Sequence, residues 1–146
     1  MDPLSLTASV IAVATLAYNS GKGLYDLVKT YSHANKIFKE LHSDIEGLNS
    51  VLRSLQTIGG EAKGATFSQT QCLCLKEVQP AITNCSDAYE AFRVKVDNLM
   101  SNSTPEHISK RDKFMLQFKT NDVAAFRIQL SSYKSTLTIA LLVMSM

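Results

Sequence analysis

Three features of this sequence predict an all-α fold, a helical bundle of four main helices plus one or two short helices. Apolar residues recur at intervals of three and four along most of the chain. No segment alternates apolar and polar residues as a half-buried strand does. Three prolines and six glycines in 146 residues leave room for long uninterrupted helices. The length fits a single domain over residues 1–146, and 45% hydrophobic content is enough for a core. The chain ends inside an apolar helix at Val143 to Met146, which points to the N-terminal part of a longer protein.

The first helix, residues 1–20, is the unusual one. From Pro3 to Gly21 there is no charged residue. It is not a signal peptide, because the stretch before the apolar run is Met1-Asp2-Pro3 and lacks a basic residue. It is long enough for a membrane span but diluted by Ser5, Thr7, Ser9, Thr15, Asn19 and Ser20. A helix apolar nearly all round belongs inside protein or in lipid, and this one suits either. Gly21 and Gly23 then predict a break or flexible joint.

Leu24, Leu27, Val28 and Tyr31 form a short stripe, and Ile37, Leu41, Ile45, Leu48, Leu52 and Leu55 a longer one. The joint between them, Ser32 to Asn35, reads as a kink or a true break. A loop is predicted over residues 59–67 from Gly59, Gly60 and Gly64. The strongest pattern follows: Leu75, Val78, Ile82, Cys85, Tyr89 and Phe92, continued by Val96 and Leu99, spaced three and four like a bundle seam. Pro80 within it predicts a kink or a restart. A loop over 101–105 precedes a short helix, which Thr104 would cap and which runs to about Phe118. Thr120 or Asn121 caps the last helix, whose stripe runs from Val123 through Phe126, Leu130, Tyr133, Leu137 and Ala140 to Met144.

Little in the sequence points to chemistry. His33, His42 and His107 form no metal-binding spacing, and each reads as a solvated or satisfied side chain. No serine or cysteine stands in a nucleophile motif, so no enzyme, metal or cofactor is expected. Three cysteines do not make a disulfide framework. Net charge is +2 and tryptophan is absent, so nucleic acid is not an expected partner. The one basic cluster is Lys110, Arg111, Lys113 and Lys119 against Asp112. It reads as a solvated helix face or as a contact for anionic lipid headgroups.

Two blocks carry a family resemblance. The opening MDPLSLTASVIAVATLA with GKGLYDLV, and the closing run Lys113 to Lys119, NDVAAF and YKSTLTIAL, are similar to the HeLo-like N-terminal domains of fungal STAND (NLR-like) proteins. The middle adds the long heptad helix and "QPAI". The chain departs at KFMLQFK, where the family often has Trp and Arg, and at Tyr133, often His. The resemblance implies a four-helix bundle like that of the necroptosis pseudokinase. It also implies a role in programmed cell death, heterokaryon incompatibility and innate immunity. In that picture the domain rests in the cytoplasm. Homo-oligomerisation, driven by a downstream NTPase or amyloid-motif region, relocates it to the plasma membrane. Leu4, Leu6, Val10, Ile11, Val13 and Leu16 would insert, Gly21 and Gly23 would act as hinge, and anionic lipids would be partners. The competing expectation is a protein-interaction or regulatory helical domain, an adaptor or homo-oligomerisation module, that never touches lipid.

Overall fold

The computed structural model describes residues 3–32, 36–61, 67–104 and 120–146, and these form four helices and no strand. They are α1 (Pro3–Tyr31), α2 (Lys36–Glu61), α3 (Gln69–Leu99) and α4 (Thr120–Met144). The all-α class and the four main helices are as the sequence predicts. The expected short helix before residue 118 lies outside the described residues, as do Lys110, Arg111, Lys113 and Lys119.

Each helix buries most of the stripe its spacing marks, with Leu27, Ile37, Leu99 and Tyr133 only half-buried. On α2, Leu41, Ile45, Leu48 and Leu52 are fully inaccessible, joined by Phe38, which the stripe missed. On α3, Leu75, Val78, Ile82, Cys85, Tyr89, Phe92 and Val96 are buried. On α4 the buried set is Val123, Phe126, Leu130, Leu137, Ala140 and Met144. One helix boundary differs from expectation, and one left open is now placed. At the Ser32 to Asn35 joint, read as a kink or a break, α1 ends at Tyr31 and α2 starts at Lys36. Helix α2 continues through Gly59 and Gly60 to Glu61, where the sequence predicts a loop.

Pro80 neither ends nor restarts α3, a single helix of 31 residues. Proline removes the amide that would bond the Lys76 carbonyl. Lys76 and Pro80 are both exposed, so water can take that amide's place. The start of α3 is fixed by a capping box. The Gln71 backbone N–H donates to Ser68 Oγ at 3.1 Å, and the Ser68 N–H donates to Gln71 Oε1 at 3.0 Å. The Gln71 amide also donates to the Val143 carbonyl at 3.4 Å, tying the start of α3 to the end of α4.

The helices pack as a ring in the order α1, α2, α4, α3. Among the described residues the backbone of α1 does not approach that of α4, nor α2's that of α3, so these pairs are diagonal and meet only through side chains that cross the core, such as Tyr89 and Asn49. Contacts give the directions. Thr15 meets Gln56 and Tyr25 meets His42, so α1 and α2 run antiparallel. Ser20 meets Ser86 and Gly21 lies beside Tyr89, so α1 and α3 run parallel with α3's later turns following α1's. Phe92 stacks on Phe126 with ring centroids 4.0 Å apart, closing α3 onto α4. Arg127 of α4 reaches α2, donating to Asp44 Oδ2 at 2.5 Å and Glu40 Oε2 at 3.0 Å. The hydrogen bond to Asp44 is the main reason the Arg127 guanidinium is held above its ordinary value.

Candidate functional site

Helix α1 is where the sequence places function, and its path corrects one expectation. The helix passes through Gly21 and Gly23 without a break. Glycine inside a helix is unfavourable by about 0.5–1 kcal/mol relative to alanine, so something must favour it here. At Gly21 that is close approach. A Cβ there would overlap the Asn49 side chain, reaching its Cγ at 2.9 Å, and would come within 2.7 Å of the Tyr89 ring. The missing Cβ lets α2 and α3 close on α1 at one level. Gly23 is different: a Cβ would meet only Arg93 Cδ at 3.9 Å. In this conformation neither glycine is a joint.

A polar layer crosses the bundle at that level. The Tyr89 hydroxyl donates to Asn49 Oδ1 at 3.0 Å, and the Ser20 and Ser86 hydroxyls lie 3.4 Å apart. Burial pushes the Cys85 thiol up to about 12, against a smaller lowering by its hydrogen bond with Tyr89. Burial, then the neighbouring Cys85, raise the Tyr89 phenol. One turn nearer the N-terminus, Gln56 Nε2 donates to Thr15 Oγ1 at 2.7 Å, and Thr15 in turn donates to the Ile11 carbonyl at 2.8 Å. His42 packs against Tyr25 with ring centroids 4.1 Å apart and the planes tilted by 34°, and its buried Nε2 has no hydrogen-bond partner among the described residues. The expectation of a satisfied or solvated His42 is therefore not met.

The six expected insertion residues do not share a face. Leu6 and Val10 are buried, Ile11 and Val13 half-buried, and Leu16 is 61% exposed. Leu4 stands in the first turn of α1. The buried side of this half is made largely of small residues, Ala14, Ala17 and Ser20 following Leu6 and Val10. Its exposed side is Ser5, Ala8, Ala12, Leu16 and Asn19, with no charge.

The sequence reading missed a second charge-free face. On α4, Ile128, Ser132, Ser135, Ile139 and Leu142 are all exposed and spaced four, three, four and three, and Met146, four residues further and just past the helix end, is exposed too. Ile128, Ile139 and Leu142 stand 72%, 62% and 63% exposed. The signal was available as a second heptad stripe, two residues out of phase with the core stripe and therefore on the opposite side of the helix. Since α1 and α4 are diagonal, the two charge-free faces lie on opposite sides of the bundle.

Among the described residues no helix is long and apolar enough to cross a membrane. Nor does any group of three or more His, Cys, Asp or Glu lie together as metal ligands would. A groove of about 280 Å³ opens at the end of the bundle between Phe38, Phe92, Val96, Leu99 and Val123. No curated protein and no solved structure gives a significant match to the chain. A family profile does, over residues 1–146, and it is one found in fungal proteins. The chain belongs to that family, described as pigment biosynthesis cluster protein PigL N-terminal.

Proposed function

We propose that this bundle is a cell-death effector or signalling domain of a fungal NLR-like (STAND) receptor, of the HeLo-like kind, that acts on the plasma membrane once oligomerised. The observation that carries the reading is the first half of α1, charge-free on its exposed face as well as its buried one. An ordinary bundle helix keeps charges on its solvent side. The small buried face also lowers the cost of release. Ala14 and Ala17 remove far less apolar surface from water than the leucines and isoleucine of α2, at about 25 cal/mol per Å². Such a helix exchanges protein for lipid contacts with a modest bias, and clustering of copies supplies that bias through effective concentration. With no helix among the described residues long and apolar enough to span, α1 acts at the membrane interface, its apolar side in the headgroup and acyl boundary. Anionic lipid is the proposed partner, with Lys110, Arg111, Lys113 and Lys119 as headgroup contacts. A cytoplasmic resting state belongs to the same proposal.

The test is dye release from anionic vesicles by the chain clustered through a C-terminal oligomeric tag. Ala12→Glu and Leu16→Glu change exposed positions, so the bundle should keep its helical circular dichroism. Leakage should fall by tenfold or more in the double variant. Full leakage by that variant, or none by the clustered parent, would remove the membrane from the mechanism. The remaining reading would be a protein-interaction domain, for which the exposed apolar face of α4 is the specific support.

A further inference from the structure

We propose that the outer face of α4 pairs with the same face of a second copy of this chain, as an antiparallel two-helix seam about a twofold axis. The inference stands on α4 alone and does not require α1 to reach a membrane.

The face is narrow. It is one residue wide at each turn, and polar side chains flank it at Gln129, Ser131, Lys134 and Thr136. Lipid-facing helices carry a broad apolar arc, whereas a strict three-and-four stripe is the pattern of a helix pair. The order of large and small residues is also self-complementary. With the axis level with Leu137, Ser132 faces Leu142 of the second copy and Ser135 faces Ile139, and at each end Ile128 faces Met146, which lies just past the end of α4. Two of these three layers place a small side chain against a large one, the arrangement that lets facing helices interdigitate. The serine hydroxyls need no partner across the seam, because a helical serine can donate to the carbonyl four residues earlier. No charge lies on the stripe, and Lys134 is turned away over Gly47 of α2, its Nζ 3.0 Å from where a Cβ there would stand. Pairing therefore desolvates no ion.

The size of the face sets its strength. The seventeen helical residues from Ile128 to Met144 make a strip about 26 Å long and about 10 Å wide. That is a few hundred Å², below the ~800 Å² per partner of a standard interface. The dimer is therefore weak, and gathering copies by any other means strengthens it. The diagonal placement of α1 and α4 leaves the charge-free face of α1 on the outside of the pair.

Sedimentation velocity of the full chain, up to about 1 mM at the weak end of specific affinity, tests this. The parent should shift from monomer toward dimer as concentration rises. Ile139→Lys with Leu142→Lys should abolish the shift, and Ser135→Arg, at the middle of the seam, should do the same with a single change. Leu16→Lys, on the opposite side, should leave the shift as in the parent. A parent that stays monomeric throughout, or α4 variants that dimerise as the parent does, would overturn the proposal. So would a monomeric parent whose binding to anionic vesicles is lost in the α4 variants, since lipid would then be the occupant.

Discussion

The outer faces of α2 and α3 differ from those of α4 and of the first half of α1. Helix α2 presents Lys36, Lys39, Glu46 and Arg53 to solvent, and α3 presents Lys76, Glu77, Asp87, Glu90 and Lys95. The first half of α1 presents alanine, leucine, serine and asparagine, and α4 presents isoleucine, leucine and serine along its stripe. The four helices solve the same burial problem on the inside, yet only two are finished for water on the outside. The charged pair and the charge-free pair sit on alternate corners of the ring. Stability alone does not require that division, because a charged outer face on α1 or α4 would keep the same core. It marks α1 and α4 as the helices with something further to contact.

The inner faces differ too, and substitutions can sharpen the contrast. Leu48→Ala, at a fully buried site on α2, should cost about 2–5 kcal/mol. Val10→Ala on α1 should cost about 1.5 kcal/mol, from two methyl groups at roughly 0.8 each. Urea unfolding of both variants measures the difference. Equal losses would mean that α1 is anchored as firmly as α2, against the reading that it is the releasable helix.

The two glycines of α1 come next in size and should respond with opposite signs. Gly21→Ala drives a Cβ into Asn49 and Tyr89 and should lose about 1–3 kcal/mol. Gly23→Ala makes only an ordinary contact with the Arg93 side chain and should gain about 0.5–1 kcal/mol from helix propensity. If both variants are stabilised, the close approach at Gly21 is absent in solution. If Gly23→Ala also slows vesicle leakage, residue 23 bends during activation although it is helical at rest.

The smallest effect is silent at neutral pH. The Cys85 thiol is raised in the fold from 9.0 to about 12 by burial, so the folded state favours the protonated form. Its contribution is fully present below about pH 9 and declines as pH rises from there toward 12. The melting temperature should therefore hold to pH 9 and fall above it, and Cys85→Ala should flatten that fall from a lower starting stability. A parent whose melting temperature is level across pH 9–11 would mean that the α1–α3 layer admits water.

Much of the architecture was legible because burial writes itself into spacing. The alternation from Leu75 to Val96 marked the inner face of α3, and the set from Val123 to Met144 that of α4. The site was less legible. Gly21 read as a joint because a glycine needed for flexibility and one needed for close approach look alike until the neighbours are placed. Leu16 read as one more insertion residue among equals, and only the packing showed it exposed while Leu6 and Val10 are not. The capping box at Ser68 and Gln71 could have been read from Ser-Gln-Thr-Gln alone.

By itself the sequence determined that the chain is helical, about where α2, α3 and α4 lie, and which stripe of each is apolar, although it cut α1 short at Gly21. These are local matters, fixed by periodicity within one helix. Tertiary structure alone decided that α1 and α4 are diagonal, that Asn49, Tyr89 and Gly21 meet at one level, and that the charge-free faces point apart. Those depend on which helices become neighbours. Neighbours are chosen by the fit of surfaces far apart in the chain, and no spacing within a single helix records that fit.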